Sequence, residues 1–149
     1  MHWTPHVTVA AVTERDGRFL FVREQADGDT VINQPAGHLE PGESLLQAVM
    51  RETREETAWR FTPRWLVGLY RWRCPQNQQT YLRFAFAGTV DAHDPAQPLD
   101  DGILEALWLT PEQLEQYNQS LRSPLVLQCL QDYLDGKRYE LALLREIEQ

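Results

Sequence analysis

The segment ESLLQAVMRETREET, residues 43–57, constrains the fold more than any other part of the chain. It contains no glycine or proline and consists largely of strong helix formers. Ser44 and Gln47 have the spacing of a capping box, which predicts that a helix begins at this point. Runs rich in β-branched and aromatic residues lie on both sides of the segment. We therefore expect one helix packed against a sheet.

The carboxylates of this helix lie where apolar side chains would be expected. On a wheel of about 100° per residue, Glu52 and Glu56 share the stripe of Leu45 and Val49, and Glu55 lies beside it. Like charges at these spacings repel by about 0.2–0.5 kcal/mol per pair. A charge-rich helix end is often only a solvated face. The stripe favours a different interpretation, because half-buried carboxylates are costly without a cation.

A divalent cation removes this cost. Mg²⁺ prefers oxygen ligands and binds phosphates together with a few carboxylates. Arg51 and Arg54 are the alternative source of positive charge, but their wheel positions predict that they point elsewhere. We therefore predict a metal site at the end of this helix.

The rest of the chain predicts a mixed sheet covered by helices, which is an α+β fold with α/β/α layers. Asp16-Gly17 is a hairpin signal, and helices are predicted to begin at Thr110 and at Ser123-Pro124. The last of these helices has Leu127, Leu130 and Leu134 as its apolar positions and ends at Gly136. Residues 139–149 fit either a helix or a strand. The predicted strands are HVTVAAV, RFLFVREQ, VINQPAG, RWLVGLYRWRC, TYLRFAFAGTV and ILEALWL.

Composition excludes several classes of function. A net charge of −8 argues against binding to a nucleic acid polymer, which needs a basic surface. Cys74 and Cys129 are too few for a disulfide framework, so we expect free thiols. The N-terminus lacks the features of a signal peptide, and no apolar run approaches the about 20 residues of a membrane span. We expect a single domain over residues 1–149, cytoplasmic and not bound to a membrane.

The helix and the loop before it resemble the Nudix box, G-x5-E-x7-R-E-U-x-E-E-x-G-U, where U is a large apolar residue. Thr53 stands at the first apolar position and Ala58 at the second glycine, so the sequence departs from the pattern at two places that carry no carboxylate. The matching residues are Gly37, Glu43, Arg51, Glu52, Glu55, Glu56 and Trp59.

The segments PHVTVA, NQPAGHLE, LRFAFA, LRSPLV and GKRYEL further resemble the phosphatase NudJ subgroup of this family. The resemblance implies the Nudix fold and Mg²⁺-dependent hydrolysis of phosphate anhydrides, with Mn²⁺ as a substitute metal. It implies nucleoside tri- and diphosphates, thiamine pyrophosphate and hydroxymethylpyrimidine pyrophosphate as substrates. The alternative is a Nudix pyrophosphohydrolase acting on a nucleotide sugar or a dinucleotide polyphosphate. We expect a monomer or a homodimer.

The resemblance also implies roles for individual residues. Glu52, Glu55 and Glu56 would be metal ligands, together with the carbonyl of Ala36. Gly37 would let the backbone approach the metal, and Glu43 would pair with Arg51 to hold the loop against the helix. Family members differ in which carboxylate takes a proton from water. Glu105 in ILEALW is one candidate, with Glu52 or Glu55 as the other candidates, although Glu105 equally fits a solvent-facing strand position.

The remaining candidates would contact the substrate. Arg83 lies among apolar residues in its strand, which is costly for a cation unless a phosphate or a buried glutamate pairs with it. Arg122 precedes a helix start, where anions are favoured. Trp72 and Tyr81 fit either stacking on a ring or core packing. Gln34 and His38 flank the entrance to the box.

Overall fold

The computed structural model describes residues 2–148, which form a mixed sheet with helices on its two faces. The strands are β1 (His6–Arg15), β2 (Arg18–Ala26), β3 (Asp29–Asn33), β4 (Ala36–His38), β5 (Arg60–Arg73), β6 (Thr80–Asp91), β7 (Ile103–Leu109) and β8 (Tyr139–Glu140). The helices are α1 (Leu45–Thr57), α2 (Pro111–Glu115) and α3 (Leu125–Leu134), with single 3₁₀ turns at Asn118–Ser120 and Leu141–Leu143.

The predicted hairpin joins β1 to β2 through a two-residue turn. Asp16 and Gly17 both have positive φ, 54° and 79°, which is the type I′ geometry that suits the twist of a hairpin. The pairing between the two strands covers only the residues next to the turn, from Glu14 opposite Phe19 to Arg15 opposite Arg18. Farther from the turn, β1 pairs with β4 and β6, whereas β2 pairs with β3 and β7. The sheet therefore opens between β1 and β2.

Side chains alternate between two apolar cores on opposite faces of the sheet, as the period of two in strands requires. The α1-side core contains Val9, Leu20 and Phe86 together with Ala48 and Val49 of α1. The α3-side core contains, among others, Val12, Phe21, Ala85, Val126 and Cys129. Because β1 and β6 are parallel and the other pairs are antiparallel, this is a mixed sheet between helices, and the predicted α+β fold is confirmed.

The predicted strand VINQPAG is two strands. Pro35 lacks an N–H and interrupts the ladder, so that β3 pairs with β2 and β4 pairs with β1. The Pro35 carbonyl accepts a hydrogen bond from the Ala11 amide at 2.9 Å. The chain thus crosses the opening of the sheet at Gln34, whose side chain is buried there.

The apolar face predicted for the last helix is only partly correct. Leu130 is buried, but Leu127 and Leu134 are exposed, and the buried face also contains Val126 and Cys129. Spacing alone leaves the orientation of a short, largely apolar helix undetermined, because several stripes of such a helix are apolar.

The segment predicted as either helix or strand contains a short strand, β8, followed by the 3₁₀ turn Leu141–Leu143 within its described residues, 139–148. β8 pairs with Trp65 and Leu66 at the edge of β5, and Leu141 and Leu144 pack against the α1-side core. Within residues 2–148, no helix combines the length and the apolar character needed to cross a membrane.

Candidate active site

The helix α1 forms as the capping signal predicts, and it buries two of its carboxylates. The Ser44 hydroxyl accepts from the Gln47 amide, and the Gln47 side chain accepts from the Ser44 amide. Glu52 and Glu56 are only 8% and 7% exposed, whereas Glu55 is intermediate. The predicted stripe is therefore confirmed, and the two carboxylates need a compensating charge.

Arg51 supplies part of that charge, and the expectation that it points elsewhere was wrong. Its Nη1 donates to Glu52 Oε1 at 2.8 Å and lies 3.3 Å from Glu55 Oε2. Its Nε and Nη2 form a two-bond pair with Glu43, at 2.9 and 2.7 Å, and Nη2 also donates to the His38 carbonyl. These bonds lower the pKa of Glu43 and raise that of Arg51. Arg51 thus joins the loop before α1 to the helix.

The segment that follows β6 covers the last turn of α1. The Asp94 amide donates to the Ala58 carbonyl at 3.1 Å, and the Gln97 side chain donates to the Arg54 carbonyl at 2.6 Å. The Asp100 amide donates to the Glu55 carbonyl at 2.9 Å. Carbonyls at a helix end lack partners within the helix, so this loop satisfies them. The same contacts bring Asp100 to the carboxylates of α1.

Three carboxylates meet at this point. One oxygen each of Glu52, Glu55 and Asp100 lie within 4.8 Å of one another. A Cβ added at Gly37 would overlap the Glu52 carboxylate, so any other residue there would force this carboxylate away from its present position. An all-oxygen set next to a close backbone suits a hard divalent cation. The residues therefore fit the metal that the helix stripe predicted.

Glu56 lies on the cavity side of this cluster. It is not one of the three clustered carboxylates, and its Oε1 accepts from the Ala36 amide at 3.0 Å. Burial raises the pKa of Glu56 to about 9, against the bond from Ala36, and the charges of Glu24, Glu52 and Asp100 raise it further. Burial also raises the pKa of Glu52. Without a cation, Glu56 is protonated at neutral pH.

A cavity of about 430 Å³ opens beside these carboxylates, where β1 and β2 separate. Glu52 belongs both to the three-carboxylate cluster and to the wall of the cavity. The other lining residues include Thr8, Glu24, Asn33, Ala36, Gly37, His38, Glu40, Glu56, Trp72, Tyr81, Arg83, Arg122 and Ser123.

Arg83 is the buried cation of this cavity, with 5% of its surface exposed. Its Nη1 donates to Gln34 Oε1 at 2.9 Å and its Nη2 to Asn33 Oδ1 at 3.1 Å. Gln34 in turn donates to the Val126 carbonyl at 2.8 Å. Among the described residues, Arg83 Nε has no hydrogen-bond partner and no carboxylate forms an ion pair with the side chain. Of the two partners weighed from the sequence, a buried glutamate therefore does not pair with Arg83 among residues 2–148, and contact with a substrate phosphate stays a prediction.

Arg122 and His38 also reach the cavity wall. Arg122 Nε lies 3.7 Å from Glu24 Oε1, and its amide donates to the Ile32 carbonyl. Burial lowers the pKa of His38, and His6 and Arg122 lower it further. Ser123 Oγ accepts from the Leu125 amide, as expected for a residue at a helix start.

Glu105 lies outside the cavity lining, which favours the solvent-facing strand position over the catalytic role, the two interpretations that the sequence left open. Its Oε2 accepts from Arg23 Nη1 at 2.7 Å, and its side chain is exposed. Ala106 and Trp108 pack toward α1, whereas Leu107 packs into the α3-side core. Alternation along β7 therefore points Glu105 away from the glutamates of α1.

Asp100 and Glu24 are carboxylates of the site that were not found from the sequence. Asp100 lies in the loop DPAQPLDDG, where neither spacing nor periodicity gives its position. Glu24 lies near the end of β2 and lines the cavity. Burial raises its pKa, against the attraction of Arg122 and a 3.4 Å bond from Asn33. Glu24 stands between Arg23 and Gln25 in the polar half of β2, where no sequence pattern distinguishes it from a surface residue.

Comparison with known proteins identifies relatives over nearly the whole chain. Residues 2–128 match the NUDIX domain family. The chain is 40% identical over 140 residues to phosphatase NudJ of Escherichia coli strain K12, covering 94% of this chain and 90% of that protein. A NUDIX hydrolase from Nitrosomonas europaea superposes with a TM-score of 0.95 at 48% identity, covering 97% and 98% of the two chains. The E. coli ORF135 protein superposes with a TM-score of 0.67 at 26% identity, covering 89% and 91%.

Proposed function

The chain belongs to the Nudix family and is a hydrolase of phosphorus-containing anhydrides, and we propose that it is a Mg²⁺-dependent phosphatase of small nucleotide-like substrates. The proposed substrates are those of the NudJ-like type: nucleoside tri- and diphosphates, thiamine pyrophosphate and hydroxymethylpyrimidine pyrophosphate. Mn²⁺ is expected to replace Mg²⁺, since both are hard cations that bind oxygen. Cytoplasmic location, and a monomeric or homodimeric state, stay predictions.

One observation carries this proposal. The cavity is bounded on one side by clustered carboxylates and on another by a buried guanidinium whose Nε–H is unpaired among residues 2–148. Carboxylates repel a phosphate unless a cation lies between them, whereas a guanidinium attracts it. A metal-bound diphosphate would interact favourably with both sides of the cavity, because the metal binds the carboxylates and the phosphate accepts from the guanidinium.

Glu52, Glu55 and Asp100 would hold the metal through their clustered oxygens. Glu56 and the Ala36 carbonyl stay as predicted further ligands. When bound, a divalent cation neutralises phosphate oxygens and lowers the pKa of a coordinated water. Gly37 contributes by leaving space for the Glu52 carboxylate.

The protein's own residues orient the substrate and accept the proton. Arg83 is held by Gln34 and Asn33, so its Nε–H is preorganised to donate to a phosphate oxygen. Arg122 and His38 are proposed to contact the outer phosphate. Between the two remaining candidates for the proton acceptor, Glu52 lines the cavity and Glu55 does not. We therefore assign the proton of the attacking water to a Glu52 carboxylate oxygen.

The products of hydrolysis test the reaction type. With a nucleoside triphosphate and Mg²⁺, a NudJ-like phosphatase releases orthophosphate, whereas a pyrophosphohydrolase releases pyrophosphate and a nucleoside monophosphate. Phosphate release is measured with and without added pyrophosphatase. The expected result is orthophosphate without the added enzyme. Release of only a monophosphate and a sugar phosphate from nucleotide sugars would contradict the proposal.

Two neighbouring aspartates offer a matched test of the metal site. Asp100→Asn removes the negative charge of a clustered carboxylate and replaces one of its oxygens by NH₂, whereas Asp101→Asn makes the same change at the next residue, which is not one of the clustered carboxylates. Mn²⁺ affinity, measured by electron paramagnetic resonance in the absence of substrate, is expected to fall about tenfold or more for Asp100→Asn only. Equal affinity in the two variants would remove Asp100 from the site.

A further inference from the structure

The floor of the cavity is built from cross-strand rows whose order follows from the strand register. His6 of β1, Tyr81 of β6 and Trp72 of β5 lie opposite one another in one row. Thr8 and Arg83 lie opposite one another in the next row. Because the residues of each strand in successive rows are two positions apart, both rows face the same side of the sheet.

The first row is aromatic. The rings of His6 and Tyr81 are stacked with centroids 5.1 Å apart, and those of Tyr81 and Trp72 are 5.7 Å apart. Asn77 Nδ2 donates to the Tyr81 hydroxyl at 3.3 Å, and His6 Nε2 donates to Gln79 Oε1 at 2.8 Å. These contacts fix the Tyr81 ring in place. The row contains no carboxylate and no guanidinium.

The aromatic row is not a closed core. Trp72 and Tyr81 are both half-buried, and both line the cavity that also contains Arg83 and Glu52. Of the two uses considered from the sequence, the structure therefore favours ligand contact over core packing. Large aromatic surfaces beside a few placed polar groups are typical of sites for ring-containing ligands.

The distance between the rows limits the ligand. Tyr81 and Arg83 are two residues apart on β6, which corresponds to about 6.6–6.8 Å along the strand. A ring packed on the first row thus lies one short linker away from a phosphate at Arg83. The carboxylates lie beyond Arg83 in the same direction, because Ala36, which binds Glu56, pairs with Ala10 in the third row.

We propose that Trp72 and Tyr81 form a subsite for the heteroaromatic ring of the substrate, whose di- or triphosphate extends past Arg83 toward Glu52 and Glu56. This inference rests on the proposed function and adds the part of the substrate that gives specificity. An aliphatic or ringless anhydride would use only the polar half of the cavity.

Binding of two nonhydrolysable compounds tests this subsite. One is the α,β-methylene analogue of a pyrimidine nucleoside diphosphate, and the other is methylenediphosphonate, which has no ring. Affinities are measured by titration calorimetry with Mn²⁺ present. Trp72→Leu is expected to weaken the nucleoside analogue about tenfold and to change methylenediphosphonate by less than about twofold. Trp72→Phe keeps a ring and is expected to recover most of the loss.

Trp65→Leu is the matched control, because Trp65 lies on the same strand, is 41% exposed and is not among the lining residues of this cavity. It should leave both affinities unchanged. If Trp72→Leu weakened the binding of both compounds equally, or left both affinities unchanged, the subsite would be refuted. Hydrolysis of an anhydride by the wild-type protein would in that case still support the proposed function. Absence of hydrolysis of every anhydride by the wild-type protein would instead refute the proposed function, and the subsite with it.

Discussion

The buried carboxyl of Glu56 makes the stability of the metal-free protein depend on pH in an unusual direction. Its pKa is raised to about 9 in the folded state, whereas an unfolded glutamate has a pKa near 4.5. Between these two values the folded state retains a proton that the unfolded state releases. The stabilisation is therefore fully present below the unfolded pKa and is lost as pH rises toward the folded pKa.

The magnitude follows from linkage. One retained proton changes the free energy of unfolding by at most about 1.4 kcal/mol per pH unit. Between about pH 5 and about pH 8 the wild-type protein should therefore lose up to about 4 kcal/mol through this group. Glu56→Gln removes the titration, while its amide oxygen still accepts from Ala36. The variant should lose less stability over the same interval.

Urea unfolding in the presence of a chelator, at several pH values, measures how steeply the free energy of unfolding falls with pH in the wild-type protein and in Glu56→Gln. Glu115→Gln removes an exposed carboxylate and controls for the change in net charge. Parallel slopes for the wild-type protein and Glu56→Gln would refute the assignment of the proton to Glu56. Added Mg²⁺ should stabilise the wild-type protein more at high pH than at low pH, because the cation competes with protons for the carboxylates.

Three further substitutions test the frame around the site. Gly37→Ala should weaken Mn²⁺ binding about tenfold or more, since the new Cβ overlaps the Glu52 carboxylate, and unchanged binding would show that the loop moves freely. Arg51→Lys breaks the two-bond pair with Glu43 and should cost about 1–3 kcal/mol in urea unfolding, with equal stability as the contrary result. Ala58→Gly should raise the free energy of unfolding in urea by about 0.5–1 kcal/mol, because Ala58 has φ 62°, and a lower free energy of unfolding would contradict this.

Local sequence signals predicted most helices and strands of this fold. The directions of long side chains and the packing of loops depend on tertiary contacts, which these signals do not contain. The capping box and the two-residue turn at Asp16-Gly17 act through neighbouring residues, so the sequence alone specifies them. The helical wheel of α1 also predicted correctly that Glu52 and Glu56 lie on the buried face of the helix. It failed for Arg51, because a wheel angle gives the direction of Cβ and a long guanidinium side chain can turn back along the helix.

The undecided position of Glu105 and the omission of Asp100 have one physical origin. Both residues follow β6, and their positions relative to α1 depend on how the intervening loop packs. That loop is held by the free carbonyls at the end of α1, including those of Arg54 and Glu55. No sequence pattern records which loop residue binds a given carbonyl. The packing of this loop also determines which residues of β7 face α1, and Glu105 is on the opposite face.

The two departures from the Nudix pattern leave the carboxylates in place, for reasons visible in α1. Thr53 is fully buried where the pattern has an apolar residue, and its hydroxyl donates to the Val49 carbonyl at 2.7 Å, so that no polar group is left unpaired. Ala58 takes the left-handed conformation that glycine usually provides, and its amide still bonds to the Arg54 carbonyl. The exit turn therefore has glycine-like geometry at a small cost in free energy. The positions of Glu52 and Glu56 depend on the helical repeat and on the space at Gly37, and neither departure alters these.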